Sequence, residues 1–491
     1  MQTGFRFCCY PSLAQQEILW RWIGGQEYSY NGKVQEDRYF RTFARKALGL
    51  PQKYPPIDGT YAQFLGEGLP EWLKGVPSVI FRNGAVKWKQ TYARYFKGLG
   101  GRPKLKTKHG RRSVWITSEL YAFIPVVDES TGEILKHKLV LGTKKFPFGE
   151  LEFHAHRDFS VPKSIHISIE AGKWFLSFNN DDGVDVPDKK ETLEWLQQFS
   201  EEELLARTFG GDRGVAIPLA GNHGETFDYS PTQKERMEKK ERRRKRHQRK
   251  MARQRFQSLK EKRKTGNNYQ KAKERCAKAG QYAKNVRKDF AHKTSHAIVS
   301  NPQNLLIVFE KLNTQGMTKA PKPKKDEAGK YIRNGAAAKA GLSKKILASS
   351  WGKILEFTKY KAINAGKLCI EIDPYQTSQE CSNCGHTHQD NRVSQALFVC
   401  QACGYKTNAD LNAAKVVAKR GAKAVLSKDY SFKESKRCSI FKQGSIGQEL
   451  SNSKPVEFQV SRGTRNSAAH RTTKQEALLA MEETPTIMRS V

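Results

Sequence analysis

Thr377-Ser378-Gln379-Glu380-Cys381-Ser382-Asn383-Cys384-Gly385-His386 is answered, further on, by Phe398-Val399-Cys400-Gln401-Ala402-Cys403-Gly404-Tyr405. Two C-x2-C pairs fifteen residues apart can converge four thiolates on one tetrahedral ion, and zinc is the ion this donor set suits. Each pair ends in a glycine, Gly385 and Gly404, able to take the positive φ that a tight metal knuckle needs. Seven residues beyond Cys403, Asp410 heads Asp410-Leu411-Asn412-Ala413-Ala414-Lys415, which reads as a helix start. Alone, such an aspartate is as readily an N-cap. Beside a rigid metal knob it is also well placed for chemistry.

Working outward, the chain has 491 residues, enough for two to four domains. It carries 87 Lys+Arg against 49 Asp+Glu, a formal net charge of +38. That excess points to a polyanion, and to nucleic acid before a membrane surface, because no run of eighteen apolar residues occurs. The opening Met1-Gln2-Thr3-Gly4-Phe5-Arg6-Phe7 lacks the pattern of a secretory signal. Of nine cysteines, Cys8, Cys9, Cys276, Cys369 and Cys438 are scattered, which is no disulfide framework and implies a reducing cytoplasm.

Upstream, residues 5–10 alternate like a strand, and Ser12 with Gln15 has capping-box spacing for a helix. Helical patterns continue over 34–48 and 78–97, studded with Tyr39, Phe40, Phe43, Trp88, Tyr92, Tyr95 and Phe96. For any one of these aromatics, core packing is the first expectation and base stacking the second. Residues 100–110 form a basic loop carrying Lys104 and Lys106. Short alternating strands follow at 113–117, 120–125, 138–142, 150–155, 164–170 and 173–179, as in a small barrel. The implied division is a barrel from 1–10 and 101–180, with 11–100 as a helical insertion and 181–206 as a linker.

A hairpin pattern starts at Thr208, and a strongly basic helix pair spans 231–299 with a turn at Gly266-Asn267-Asn268. A run of like charge is usually a solvated face. Flanked by ordered patterns, this one is read as contacting phosphate, with Arg242, Arg243, Arg244, Lys245, Arg246, Arg249, Lys250 and Arg253 as candidates together with Lys104 and Lys106. Asn304–Glu310 reads as a buried strand, 318–342 as a loop, Ser343–Ala365 as one amphipathic helix and Lys367–Asp373 as a strand leading to the cysteines. Residues 426–491 are polar and aperiodic, as in a disordered tail.

Asp212 lies in one strand pattern, before Gly214, Glu310 caps another, and Asp410 starts a helix. Each alone is a surface or capping acid. Brought together they would repel one another, and a hard divalent ion, Mg²⁺ or Mn²⁺, would resolve the repulsion. Two such ions serve phosphodiester hydrolysis.

The cysteine motifs with Asp410-Leu411-Asn412-Ala413-Ala414 resemble TnpB proteins, RNA-guided nucleases of insertion sequences and relatives of miniature type V CRISPR effectors. Ser350-Trp351-Gly352, Tyr360-Lys361-Ala362, Gly266-Asn267-Asn268-Tyr269 and Gly101-Arg102-Pro103-Lys104-Leu105-Lys106 are similar to further family segments. The likeness is specific over about 205–420 and weaker over 1–180. It implies an α+β multidomain chain: an RNase H-like (RuvC) α/β nuclease core from 207–380 and 404–425, a zinc ribbon inserted at 381–403, and an N-terminal wedge-type β-barrel with a helical recognition insertion. It implies Asp212, Glu310 and Asp410 as the catalytic, Mg²⁺-holding acids, and Cys381, Cys384, Cys400 and Cys403 as ligands of a structural zinc. It also implies guide RNA and double-stranded target DNA as partners, with base pairing supplying sequence and protein supplying charge and shape. Such a protein is cytoplasmic and nucleoid-associated when on DNA; transposon or CRISPR origin, and monomer or dimer, stay open. Two departures stand out. Gly210-Gly211-Asp212-Arg213-Gly214 has Arg213 where the family has an apolar residue, and Ala409 precedes the last acid where a charged residue is usual. Glycine and arginine are expected to weaken that strand and to move its carboxylate. The competing readings are an RNA-guided DNA-binding protein that does not cut, acting as repressor or targeting subunit, and a transposition-associated protein that joins strands.

Overall fold

The computed structural model describes residues 2–49, 58–66, 68–107, 110–127, 134–181, 183 and 185–427. The expected tail beyond residue 427 lies outside them.

The N-terminal half is built on strands that pair in two sheets. Arg112–Thr117, Ser164–Glu170, Lys173–Asp181, Gln2–Cys9 and Phe153–His154 form a five-stranded antiparallel sheet in that order. Tyr121–Val127, Ile134–Gly142 and Pro147–Leu151 form a second, three-stranded one. The chain passes from one sheet to the other at Glu152, whose carbonyl accepts from Tyr10 N–H at 2.9 Å. Alternation puts Phe5, Phe7, Val114, Ile116, Ile165, Ile167, Leu139 and Leu141 into one core. That core is completed by the helices Leu13–Tyr39 and Ser78–Phe96 through Leu19, Trp22, Ile23, Ile80 and Phe81. The Ser12/Gln15 capping box forms as read. Gln26, fully buried, exchanges two 2.9 Å hydrogen bonds with the Trp115 backbone, so the helix is pinned to the sheet. Of the aromatics, Trp88 and Tyr92 are core, whereas Tyr39 and Phe43 are exposed.

The second half is organised by another five-stranded sheet, ordered Thr226–Phe227, Leu219–Gly221, Thr208–Asp212, Leu306–Glu310, Leu368–Ile372. The first three strands are antiparallel, and Thr208–Asp212, Leu306–Glu310 and Leu368–Ile372 are mutually parallel neighbours. All five residues of Leu306–Glu310 are buried, because both faces of the sheet are covered. One face packs Val308, Ile370 and Leu306 against Val417, Ala422 and Val425 of the helix Ala409–Leu426. The other packs Phe209, Ile307 and Phe309 against Phe290 and Ile298 of the helix Asn267–Ser300 and Ile354 of the helix Trp351–Asn364.

Three expectations are revised. Residues 181–206, read as a linker, hold the helices Lys189–Leu196 and Glu201–Ala206, and their Leu193, Leu196 and Leu204 join the core of the second sheet. The single helix expected over Ser343–Ala365 is two, Ala336–Ala348 and Trp351–Asn364. Ser350 breaks it with φ +61°, a conformation that costs a non-glycine residue energy. The break is held by Trp351 Nε1–H donating to Gly214 O at 3.0 Å and by a 3.1 Å bond between Ser350 Oγ and Tyr229 OH. Finally, the 318–342 stretch is not loop throughout: Lys324–Lys325 pairs with Tyr331–Ile332, and helix begins at Ala336.

Candidate active site and cysteine centre

In parallel neighbours, residues in register share an edge of the sheet. Gly211 pairs with Phe309, so Asp212 and Glu310 end adjacent strands at the same carboxyl edge. Asp410 arrives from across the sheet, in the first turn of the helix Ala409–Leu426, where a carboxylate also meets the positive end of the helix dipole. The N-cap of that helix is Asn408, whose Oδ1 accepts from Asp410 N–H at 2.9 Å and Leu411 N–H at 3.2 Å.

The glycines make this meeting possible. A Cβ on Gly210 would lie 2.3 Å from Ala414 O and 2.6 Å from Ala418 N, and one on Gly421 would lie 2.3 Å from Val308 Cγ2. Helix and sheet therefore touch backbone to backbone. The strand expected to suffer from Gly210-Gly211 forms and is paired on both sides, and Asn222, itself buried, ties it by accepting from Gly210 N–H at 2.9 Å and donating to Thr208 O at 3.0 Å.

Asp212 carries the electrostatic signature of the pocket. Burial, then the charge of Glu310, then that of Asp410, push its carboxyl up to about 7. Burial also raises Glu310, which is 6% exposed; a hydrogen bond from Thr377 Oγ1 to its Oε1 and the charges of Arg213 and Arg420 oppose that rise. Asp410 Oδ1 accepts from Arg392 Nη2 at 3.3 Å. The three carboxyl groups are more widely set than the cysteines. Among the described residues, the four thiols alone form a set of three or more potential ligands with all donor atoms within 4.8 Å of one another. A two-ion site, with its ions about 3.5–4 Å apart, calls for such wider spacing.

The thiols are arranged for a tetrahedral ion. Cys381 Sγ lies 3.8 Å from Cys403 Sγ, and Cys384 Sγ lies 3.6 Å from Cys400 Sγ. Both knuckles are closed alike: Gly385 N–H donates to Cys381 O at 2.9 Å and Gly404 N–H to Cys400 O at 3.0 Å, with φ of +77° and +68°. Backbone N–H groups of Asn383 and Cys403 point at Cys381 Sγ and Cys400 Sγ, at 3.4 and 3.5 Å. Asn412, fully buried one turn from Asp410's end of the helix, bolts the ribbon to that helix: it accepts from Ser382 N–H at 2.9 Å and donates to Glu380 O at 2.7 Å. Arg420 adds an ion pair to Glu380 and a 2.7 Å bond to Tyr375 O.

The basic candidates divide. Arg243, Lys245, Arg246, Arg249, Lys250 and Arg253 are exposed along the helix Pro231–Lys260, which buries only Ser258. Arg242 is also exposed and pairs with Glu238 at 2.7 Å, and Arg244 is half-buried against Glu241. Lys104 is exposed. Lys106 instead tucks its ammonium 4.5 Å from the Tyr30 ring centroid, and burial brings its pKa down to about 8. Thr377, Arg392, Asn222 and Asn412 escaped the sequence reading. Thr377 and Asn412 sit inside the motifs quoted above, whereas nothing local marks Arg392 or Asn222. No helix among the described residues is long and apolar enough to cross a membrane.

A family model described as "Cas12f1-like, TNB domain" matches residues 351–417. Over 425 residues the chain is 28% identical to a protein of Escherichia coli (strain K12) named putative RNA-guided DNA endonuclease InsQ, covering 85% of this chain and 92% of that one. It is 56% identical over 59 residues to the CRISPR-associated endodeoxyribonuclease Cas12f1 of Sulfoacidibacillus thermotolerans, 12% of this chain and 14% of that one. A TnpB-like protein of Aquifex aeolicus (strain VF5) is 31% identical over 137 residues, 26% of this chain and 39% of that one.

Proposed function

We propose that this chain, which belongs to the TnpB-like miniature type V effectors, is an RNA-guided DNA endonuclease whose active centre is Asp212, Glu310 and Asp410. The observation that carries the centre is Asp212: a half-buried carboxyl pushed up to about 7 by desolvation first, then by the charges of Glu310 and Asp410, is the kind of perturbed acid that a functional site collects and that a bound cation would relieve. The sheet order, with three antiparallel strands continued by two parallel ones and helices on both faces, supports an RNase H-like (RuvC) reading of the second half. The two N-terminal sheets around one core support a wedge-type barrel carrying the 11–100 helices.

In this reading Asp212 and Glu310 hold divalent ions from the sheet edge, and Asp410 closes the pocket from the helix. Bound Mg²⁺ or Mn²⁺ would supply an activated water and neutralise the leaving oxygen. Thr377 orients Glu310, and Arg392 pairs with Asp410 while its charge also lowers the Asp212 pKa. The thiol set suits zinc: four bonds of about 2.3 Å to a tetrahedral centre put sulfurs about 3.8 Å apart, against the 3.6 and 3.8 Å found. That zinc is structural, stiffening the ribbon onto which the Asp410 helix is bolted. The exposed cations of Pro231–Lys260 neutralise nucleic-acid phosphates, and base pairing by a guide RNA selects the DNA strand.

The test is cleavage of a plasmid bearing the guide-matched target, by the full chain with its copurified RNA and Mg²⁺. Cutting that disappears in Asp212→Ala while target binding persists supports the reading. Tight guided binding without cutting by the unaltered chain would make it a targeting or repressor protein instead.

A further inference from the structure

Behind the acid pocket lies a charge that the proposed reaction does not use. Arg213 follows Asp212, so its side chain leaves from the opposite face of the sheet. It is 5% exposed. One guanidinium N–H donates to the Glu310 carbonyl oxygen, and the group stands 5.8 Å from the Phe309 ring centroid. Its Nε–H is buried with no hydrogen-bond partner. Among the described residues it makes no ion pair, and the acid on its own face, Glu371, is engaged by Lys359 at 2.5 Å. A buried guanidinium without an ion-pair partner is strongly unfavourable unless a nearby field offsets it. The acids whose charge reaches it are Glu310, Glu371 and Asp212, in that order, and the charges of Arg392 and Arg420 also oppose the rise of Asp212 and Glu310. Asp212 and Glu310, in turn, repel each other.

We propose that Arg213 is the internal counter-ion of the acid pocket, a positioning residue whose fixed charge holds Asp212 and Glu310 together in the metal-free protein and weakens their grip on the divalent ion. The inference rests on the reading of these acids as the metal site. Removing the charge has two consequences of opposite sign. The metal-free chain loses stability, because the acids then repel without compensation. The metal-loaded site gains affinity, because a unit positive charge no longer opposes the divalent ion, an effect of roughly a hundredfold or more for charges about 10 Å apart at an effective dielectric of about 20.

The experiment is a thermal-unfolding cycle on the full chain without metal: unaltered, Arg213→Met, Asp212→Asn and the double variant, followed by Mn²⁺ titration read as the rise in Tm. Expected are a loss of several degrees in Arg213→Met, recovery of much of it in the double variant, and a half-saturating Mn²⁺ concentration roughly a hundredfold or more lower in Arg213→Met. Arg213→Lys keeps the charge and should leave the Mn²⁺ dependence in place; it serves if the methionine variant fails to fold. Additive losses in the cycle, or a lysine variant that shifts the Mn²⁺ dependence as methionine does, would overturn the proposal and leave Arg213 a packing residue. Neither readout needs DNA cutting, so a protein that cuts but shows an additive cycle refutes the counter-ion alone.

Discussion

A carboxyl pushed up to about 7 is a stability statement as well as a chemical one. Asp212 would ionise near 4 in the unfolded chain. Its folded value is higher, so the native state binds the extra proton and is favoured by it below about pH 4. That advantage is lost progressively as pH rises from about 4 to about 7. Metal-free protein should therefore lose on the order of a few kcal/mol across that window, measurable as a falling urea midpoint, and Asp212→Asn should flatten the curve. A profile equally steep in the variant would place the titration elsewhere. Gly210 offers a second residue-level test. Alanine there drives a methyl into Ala414 O and Ala418, and helix or strand must retreat. About 1–3 kcal/mol of stability should go, with Mg²⁺-dependent cutting reduced more than target binding, because Asp410 moves relative to Asp212. The three acids were legible in the sequence as acids of two strands and a helix start. The glycines read only as a weakness, because the close approach that demands Gly210 belongs to a helix two hundred residues away. Arg392 left no local trace at all.

Among elements, the ribbon and the helix Ala409–Leu426 act as one body. Asn412 satisfies a buried N–H and a buried carbonyl of the ribbon at once, and its loss strands both. Asn412→Ala should cost about 1–3 kcal/mol and, at temperatures where the rest of the chain stays folded, make the ribbon give up zinc to a chelator faster than the unaltered protein does. An unchanged release rate would mean that helix and ribbon are independent. The ribbon was readable because metal ligands come in fixed spacings with glycine at the turns. The helix break at Ser350 was not, since serine gives no sign of a left-handed conformation held by Tyr229 and by the Gly214 carbonyl that Trp351 reaches, both distant in sequence. Residues 181–206 looked like a linker because acidic side chains outnumber the three leucines that enter the core.

On the scale of the whole molecule, +38 charges need a polyanion, and the exposed cations of the helix Pro231–Lys260 are the largest single row of them described. Neutralising Arg246, Arg249 and Arg253 together should weaken guided-complex assembly across all sequences and reduce the slope of log affinity against log salt by about 2–3, as expected for lost phosphate contacts. An unchanged slope would make that row a solvated face. Composition and periodicity sufficed for the polyanion, for the two β-rich halves and for the basic pair. They could not show that helices cover both faces of the second sheet, and that coverage brings residues 212, 310 and 410 to one edge. Cutting of a guide-matched plasmid by the RNA-loaded chain in Mg²⁺ tests this convergence most directly. The account predicts that Asp212→Ala, Glu310→Ala and Asp410→Ala each abolish cutting while target binding survives. Full cutting by any one of the three variants would contradict it.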